Sequence, residues 1–160
     1  MVWRLLRHRW CRNHYLLIAV KMDFLKGEII AIDKPYGMSS FGALAYVRKR
    51  ISKRLNVKRV KTGHAGTLDP LATGVLILCT GKKTKEIEQL QAHSKEYTAT
   101  LQLGATTVSY DMEHEVNATY PTQHITREMI DEVLTRFVGN IEQVPPSYSA
   151  CKINGDRAYE

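Results

Sequence analysis

The sequence is short of everything a membrane span, a disulfide scaffold or a structural zinc site requires. Its longest unbroken apolar run is about six residues, far below the ~20 of a spanning helix. Three cysteines in 160 residues, Cys11, Cys79 and Cys151, are odd in number, widely spaced and never in a CxxC pair. A disulfide framework or Cys-rich metal site is therefore not expected, and a reducing, cytoplasmic compartment is. No internal repeat, low-complexity tract, GxSxG or dinucleotide-binding fingerprint occurs. Thr80-Gly81-Lys82-Lys83-Thr84 resembles a phosphate loop but has Leu76 where that motif needs glycine and Lys83 where it needs Ser or Thr. His64, His93, His114 and His124 show no metal-ligand spacing, so neither a metal nor a nucleotide cofactor is expected. With 44% hydrophobic and 24% charged residues, the composition is that of a globular protein rather than a disordered or fibrous one.

Acidic residues are missing from two stretches. Residues 1–21 carry Arg4, Arg7, Arg9, Arg12 and Lys21 and no acid, a local +5 out of a net +7. Leu16–Val20 is too short for a signal sequence and no small-x-small cleavage site follows. This segment is expected to be an unstructured basic extension, with the domain proper over 22–160. The second acid-free stretch runs from Arg48 to Lys61 and holds eight basic residues, among them Arg48, Lys49 and Arg50. Such a face attracts a polyanion, with affinity that falls as salt rises.

What is present alternates irregularly between strand and helix signals. Glu28–Asp33 reads as a buried strand closed by Pro35 and Gly37. Ser39 or Ser40 can cap a helix over Phe41–Leu55 whose inner face is Leu44, Val47, Ile51 and Leu55. Val75–Thr80 is a second buried strand, and Thr84 can cap a short helix reaching His93. Glu96–Leu103 alternates, with Tyr97, Ala99, Leu101 and Leu103 on one face. Gly104–Ile125 reads as a long polar loop. Thr126 caps a helix with Ile130, Val133, Leu134 and Phe137 inward, and Asn154-Gly155 signals a tight turn. The irregular order predicts an α+β fold. The chain ends directly after that turn, where a further strand or helix is expected, so it reads as cut at the C-terminus.

Gly63–Gly74 (GHAGTLDPLATG) has no period and concentrates small residues around His64, Thr67 and Asp69. Alone, Asp69-Pro70 is a common helix opening, Tyr97 a core residue of its strand, and His64 a loop histidine.

Four blocks taken together resemble the TruB family of tRNA pseudouridine synthases. They are Asp33–Ser40 (DKPYGMSS), Gly63–Gly74, Lys95-Glu96-Tyr97 followed by Leu103-Gly104 and Asp111, and Pro145–Lys152 continuing to Gly155 and Arg157–Tyr159. The resemblance implies a pseudouridine synthase fold, a mainly antiparallel mixed sheet flanked by helices. It also implies isomerisation of the T-loop uridine at tRNA position 55, by a monomer without cofactor or metal that binds the T-arm and no membrane. Asp69 takes the position of the catalytic aspartate and Tyr97 that of the active-site tyrosine. His64 matches the histidine that accommodates the flipped nucleotide, with Thr67 beside it. Lys34 matches the lysine of a Lys-Pro pair that supports the active-site loop, and Tyr159 lies in a block near the RNA.

Two departures stand out. Thr107-Val108-Ser109-Tyr110-Asp111 lacks the family's middle acid, and His114 replaces a usual glycine. The later arginine that pairs with the catalytic aspartate lies in a block this chain does not reach, so the 160-residue chain is expected to be poorly active alone. A non-catalytic RNA-binding protein is the alternative; a hydrolase using Asp69 as general base ranks last, having no partner carboxylate, triad or metal set.

Overall fold

The computed structural model describes residues 5–6, 22–144, 152–153 and 156–157, the three short pairs through their backbone only. The chain is α+β and divides into two compact units, Met1–Glu96 and Tyr97–Glu160.

The first unit is built on a sheet in the order β1 (Leu5–Leu6), β2 (Ile29–Lys34), β4 (Gly74–Thr80), β3 (Thr62–Ala65). The Ile-rich run becomes β2 (Ile29–Lys34) and the VLILCT run becomes β4 (Gly74–Thr80), paired antiparallel with Ile30 opposite Leu78 and Ile32 opposite Leu76. Opposed residues share a face, so these four form one apolar surface. Helix α1 (Ser40–Arg54) packs on it through Ala43, Leu44 and Ile51, joined by Val60. Its N-cap is Ser39, whose hydroxyl accepts the Gly42 amide at 3.0 Å. Val47 is partly buried against this core, whereas Leu55, expected on the inner face, is exposed, because it is the C-cap where the chain turns off the helix. Of the basic extension, expected to be unstructured, the described pair Leu5–Leu6 forms strand β1, parallel to Ala31–Ile32 of β2.

Strand β3 (Thr62–Ala65) was not expected, because it opens the aperiodic glycine-rich segment. It exists by pairing antiparallel with β4. Gly63 stands opposite Cys79 on the sheet face away from α1, and there Ile87 crowds it: a Cβ on Gly63 would lie 2.6 Å from Ile87 Cδ1. Ile87 begins α2 (Ile87–Gln91), entered through a 3-10 helix over Gly81–Glu86. Thr84 does not cap this segment. It lies inside the 3-10 helix and its hydroxyl donates to the Gly81 carbonyl at 2.9 Å.

From Glu96 onward the chain differs from expectation in three places. Glu96–Leu103 forms no strand, and each of its residues is exposed. Alternation specifies which face a strand would bury but supplies no partner edge, and among the described residues none pairs with it. The polar segment 104–125 is not one loop: β5 (Ala105–Thr107) and β6 (Val116–Thr119) pair antiparallel within it, with an irregularity at Thr106/Thr107. Thr126 caps α3 (Arg127–Leu134) as expected, accepting the Met129 amide at 3.4 Å. The inner face does not materialise, since Val133, Leu134 and Phe137 are exposed and α3 buries no residue. Strands β7 (Lys152–Ile153) and β8 (Asp156–Arg157) pair antiparallel with Ile153 opposite Asp156. Asn154 and Gly155 themselves, residues 145–151 and Tyr159 lie outside the described residues.

Candidate active site

Asp69 does not open a helix. It is exposed at the start of a turn in which Ala72 N–H donates to the Asp69 carbonyl at 3.0 Å. What distinguishes it is the fixing of both sequence neighbours. On one side, Leu68 packs its side chain against the α1 core, and its backbone is held twice by one hydroxyl. Ser40 Oγ donates to the Leu68 carbonyl at 2.9 Å and accepts the Leu68 amide at 2.8 Å. Ser40 is itself buried. On the other side, the Pro70 carbonyl accepts the Gly37 amide at 2.8 Å and the Lys34 ammonium at 3.3 Å. Gly37 reaches this position at φ +75°, a conformation that suits glycine. The carboxylate thus stands free on a loop whose backbone is tied down one residue either way.

Lys34 is fully buried at the end of β2, and its three donors all find carbonyls: Met38 at 2.6 Å, Pro35 at 3.1 Å and Pro70 at 3.3 Å. Burial lowers its pKa below the ordinary lysine value, and the Asp69 carboxylate raises it part of the way back. The ammonium is therefore a structural cation beneath the loop, spent on backbone carbonyls.

His64 stands opposite Leu78 in β3, half-buried, with Nδ1 bonded to the Gly66 carbonyl. A carbonyl only accepts, so Nδ1 carries hydrogen, and in the neutral ring Nε2 is left as an acceptor. Thr67 is exposed beside it. Lys34, His64, Thr67 and Asp69 thus belong to one unit and one loop system. Tyr97 begins the other unit and is 69% exposed, which removes the reading of it as a core residue of a strand. Among the described residues no group of His, Cys, Asp and Glu is placed to hold a metal ion, and no helix is long and apolar enough to cross a membrane.

The three basic helix residues separate. Arg48 and Lys49 line a groove with Lys53, Lys58 and Arg59, whereas Arg50 lies 5.0 Å over the Tyr46 ring and donates to its hydroxyl at 2.8 Å. Sequence reasoning missed Ser40 and Gly37 as fasteners of the Asp69 loop. The available signal was the doubled serine in DKPYGMSS: one hydroxyl suffices for the cap, so the second was free for another task.

The first unit is thus an α+β scaffold that holds an exposed aspartate on a loop fastened one residue to either side, with a helix rich in basic residues beginning at the serine that fastens it. The chain belongs to the TruB pseudouridylate synthases, whose N-terminal domain pattern matches residues 52–160. It is 63% identical over 139 residues to the tRNA pseudouridine synthase B of Bacteroides thetaiotaomicron, covering 87% of this chain and 58% of that protein. With the protein of the same name from Bacteroides fragilis it shares 58% identity, over 87% of this chain and 60% of the relative. With that of Clostridium perfringens it shares 46% over 132 residues, 82% of this chain and 43% of the relative. The chain thus spans about six-tenths of the first two relatives.

Proposed function

We propose that residues 22–160 form the nucleophile-bearing part of a tRNA pseudouridine(55) synthase. The observation that carries this reading is the exposed Asp69 carboxylate held between fixed Leu68 and Pro70; family membership and the relatives' names support the tRNA substrate. The reaction breaks the N1–C1′ bond of uridine, turns the base and forms a C5–C1′ bond. The proton lost from C5 is balanced by one gained at N1, so formula and redox state are unchanged and no redox cofactor is called for. A carboxylate that is charged at neutral pH, adds to the nucleoside and then leaves again can hold one fragment while the other rotates. Fixing its backbone beforehand keeps the attacking oxygen in range at no further ordering cost.

The uridine must leave its stack, at a cost of a few kcal/mol. Stacking on the Tyr97 ring returns ~1–3 kcal/mol of that, and its phenol is suited to relay the C5 proton. His64 Nε2 and the Thr67 hydroxyl hold the flipped nucleotide, Lys34 supports the loop, Arg48, Lys49 and Arg50 contact phosphate, and Tyr159 lies against the RNA. The enzyme is cytoplasmic and acts as a monomer on the T-arm. Tritium release from 5-tritiated uridine in T-arm RNA tests the reading, using this chain and this chain extended with the C-terminal portion of the B. thetaiotaomicron relative. The extended form turns over and its Asp69→Asn variant does not. If the extended form binds tRNA but releases no tritium, the non-catalytic RNA-binding reading replaces this one.

A further inference from the structure

We propose that the groove between the second half of α1 and residues 57–59 grips the phosphates of the RNA stem, several base steps from the nucleotide at Asp69. This rests on the RNA-substrate reading above and deepens it, extending the phosphate contact of Arg48 and Lys49 to Lys53, Lys58 and Arg59 and assigning it to the stem.

Ala45, Arg48, Lys49, Ser52 and Lys53 fall at helical spacing on one side of α1, and Val57, Lys58 and Arg59 face them across a cleft of about 530 Å³. The two walls are fastened to each other through Ser52. Its carbonyl accepts the Val57 amide at 3.0 Å and its buried hydroxyl accepts the Val60 amide at 3.1 Å. The chain reverses between the walls at Asn56, with φ 53°, a conformation asparagine tolerates. The last carbonyls of the helix are also taken, Ile51 by the Leu55 amide and Lys53 by the Asn56 amide. They therefore present less bare negative charge to an incoming anion.

Charge selects the occupant. Five cations line the groove, and among the described residues none of them is in an ion pair. The sequence holds no Asp or Glu between Asp33 and Asp69. Five unneutralised cations on a fixed double wall repel one another unless a polyanion sits between them. A solvated helix face would not need a second basic wall anchored by a buried hydroxyl.

Helix α1 also sets the distance. Its first residue, Ser40, fastens the Asp69 loop, and Arg48 to Lys53 lie 8 to 13 residues further on. At 1.5 Å per residue the groove is about 12–20 Å along the helix from that anchor. An A-form RNA stem rises less per step than the ~3.4 Å of B-form DNA, so this corresponds to at least about four to six steps. The groove therefore meets the paired stem flanking the loop, and the phosphate contact of Arg50, on another side of the helix, lies outside the groove.

The test is fluorescence anisotropy of labelled stem-loop RNA against salt, using the full chain. Lys53→Gln/Lys58→Gln should lower the slope of log K against log salt by about 1.5, at ~0.7–0.9 per phosphate contact. Lys82→Gln/Lys85→Gln, in the 3-10 helix, should leave it unchanged. The loss should appear with a stem of about seven base pairs and vanish with a stem of about two, which ends before the groove. An unchanged slope, or an equal loss on both stems, overturns the proposal. Binding is read without turnover, so failed tritium release by the extended form together with the expected salt slopes sinks the catalytic reading and leaves the groove standing.

Discussion

Helices α1 and α3 are both capped by a hydroxyl and both carry apolar residues at helical spacing, yet only α1 has an inside. Every buried residue among those described lies between Ile30 and Thr80, in the first unit. Helix α1 meets a sheet whose Ile30, Leu76 and Leu78 complete its apolar face; α3 buries nothing, and its Leu134, like Phe137 in the 3-10 turn that follows, is more than half exposed. Local signals are enough to start and stop a helix. What turns an amphipathic stripe into stability is a second surface to cover it. The functional consequence is that the aspartate loop is fastened entirely to the unit that has a core.

The contrast is broken most directly by matched truncations. Leu76→Ala should cost about 3–4 kcal/mol of unfolding free energy, in the range of buried leucines, whereas Leu134→Ala should stay within about 0.5 kcal/mol, as exposed substitutions do. Chemical denaturation of both variants gives the answer, and equal losses would mean α3 has a covering surface after all. A smaller effect is expected for Ser40→Ala, about 1–3 kcal/mol, because the Leu68 amide and carbonyl both lose their partner. Amide exchange at Leu68 should accelerate well beyond that of the α1 amides; unaltered exchange there would show that the hydroxyl does not hold the loop.

The smallest effect concerns protons on Lys34. Its pKa in the fold is below the unfolded value. Between the two values the unfolded chain binds more protons, so the stability linked to this group rises with pH through that window and levels off above the ordinary lysine pKa. Asp69→Asn removes the charge that supports the ammonium and should move the Lys34 titration further down. Nitrogen-15 NMR of the side chain reads it; an unmoved or raised titration would show that carboxylate and ammonium do not sense each other.

How far the sequence was legible follows the same division. Strands β2 and β4, helix α1 and the Thr126 cap were readable because each carries its own period or cap. Strand β3 was not, since Thr62–Ala65 offers no apolar alternation and is a strand only because β4 lies beside it. Residues 96–103 show the converse, clean alternation with no edge to join. Within the candidate site, Asp69, His64 and Lys34 could be singled out from the sequence only as parts of a family pattern, and their roles are the proposal made above. Composition could not say why the pattern contains a second serine: the bond from Ser40 to Leu68 spans 28 positions, beyond any local rule. Of the basic run, sign and density were legible, whereas the separation of Arg50 from Arg48 and Lys49 needed the helix and the segment folded against it.

One assay weighs most: pseudouridine formation in T-arm RNA by the extended chain carrying Asp69→Asn, with mass spectrometry excluding deamidation. The account predicts no product above background while RNA binding persists. Undiminished product would contradict it, leaving the clamped loop without its proposed chemistry.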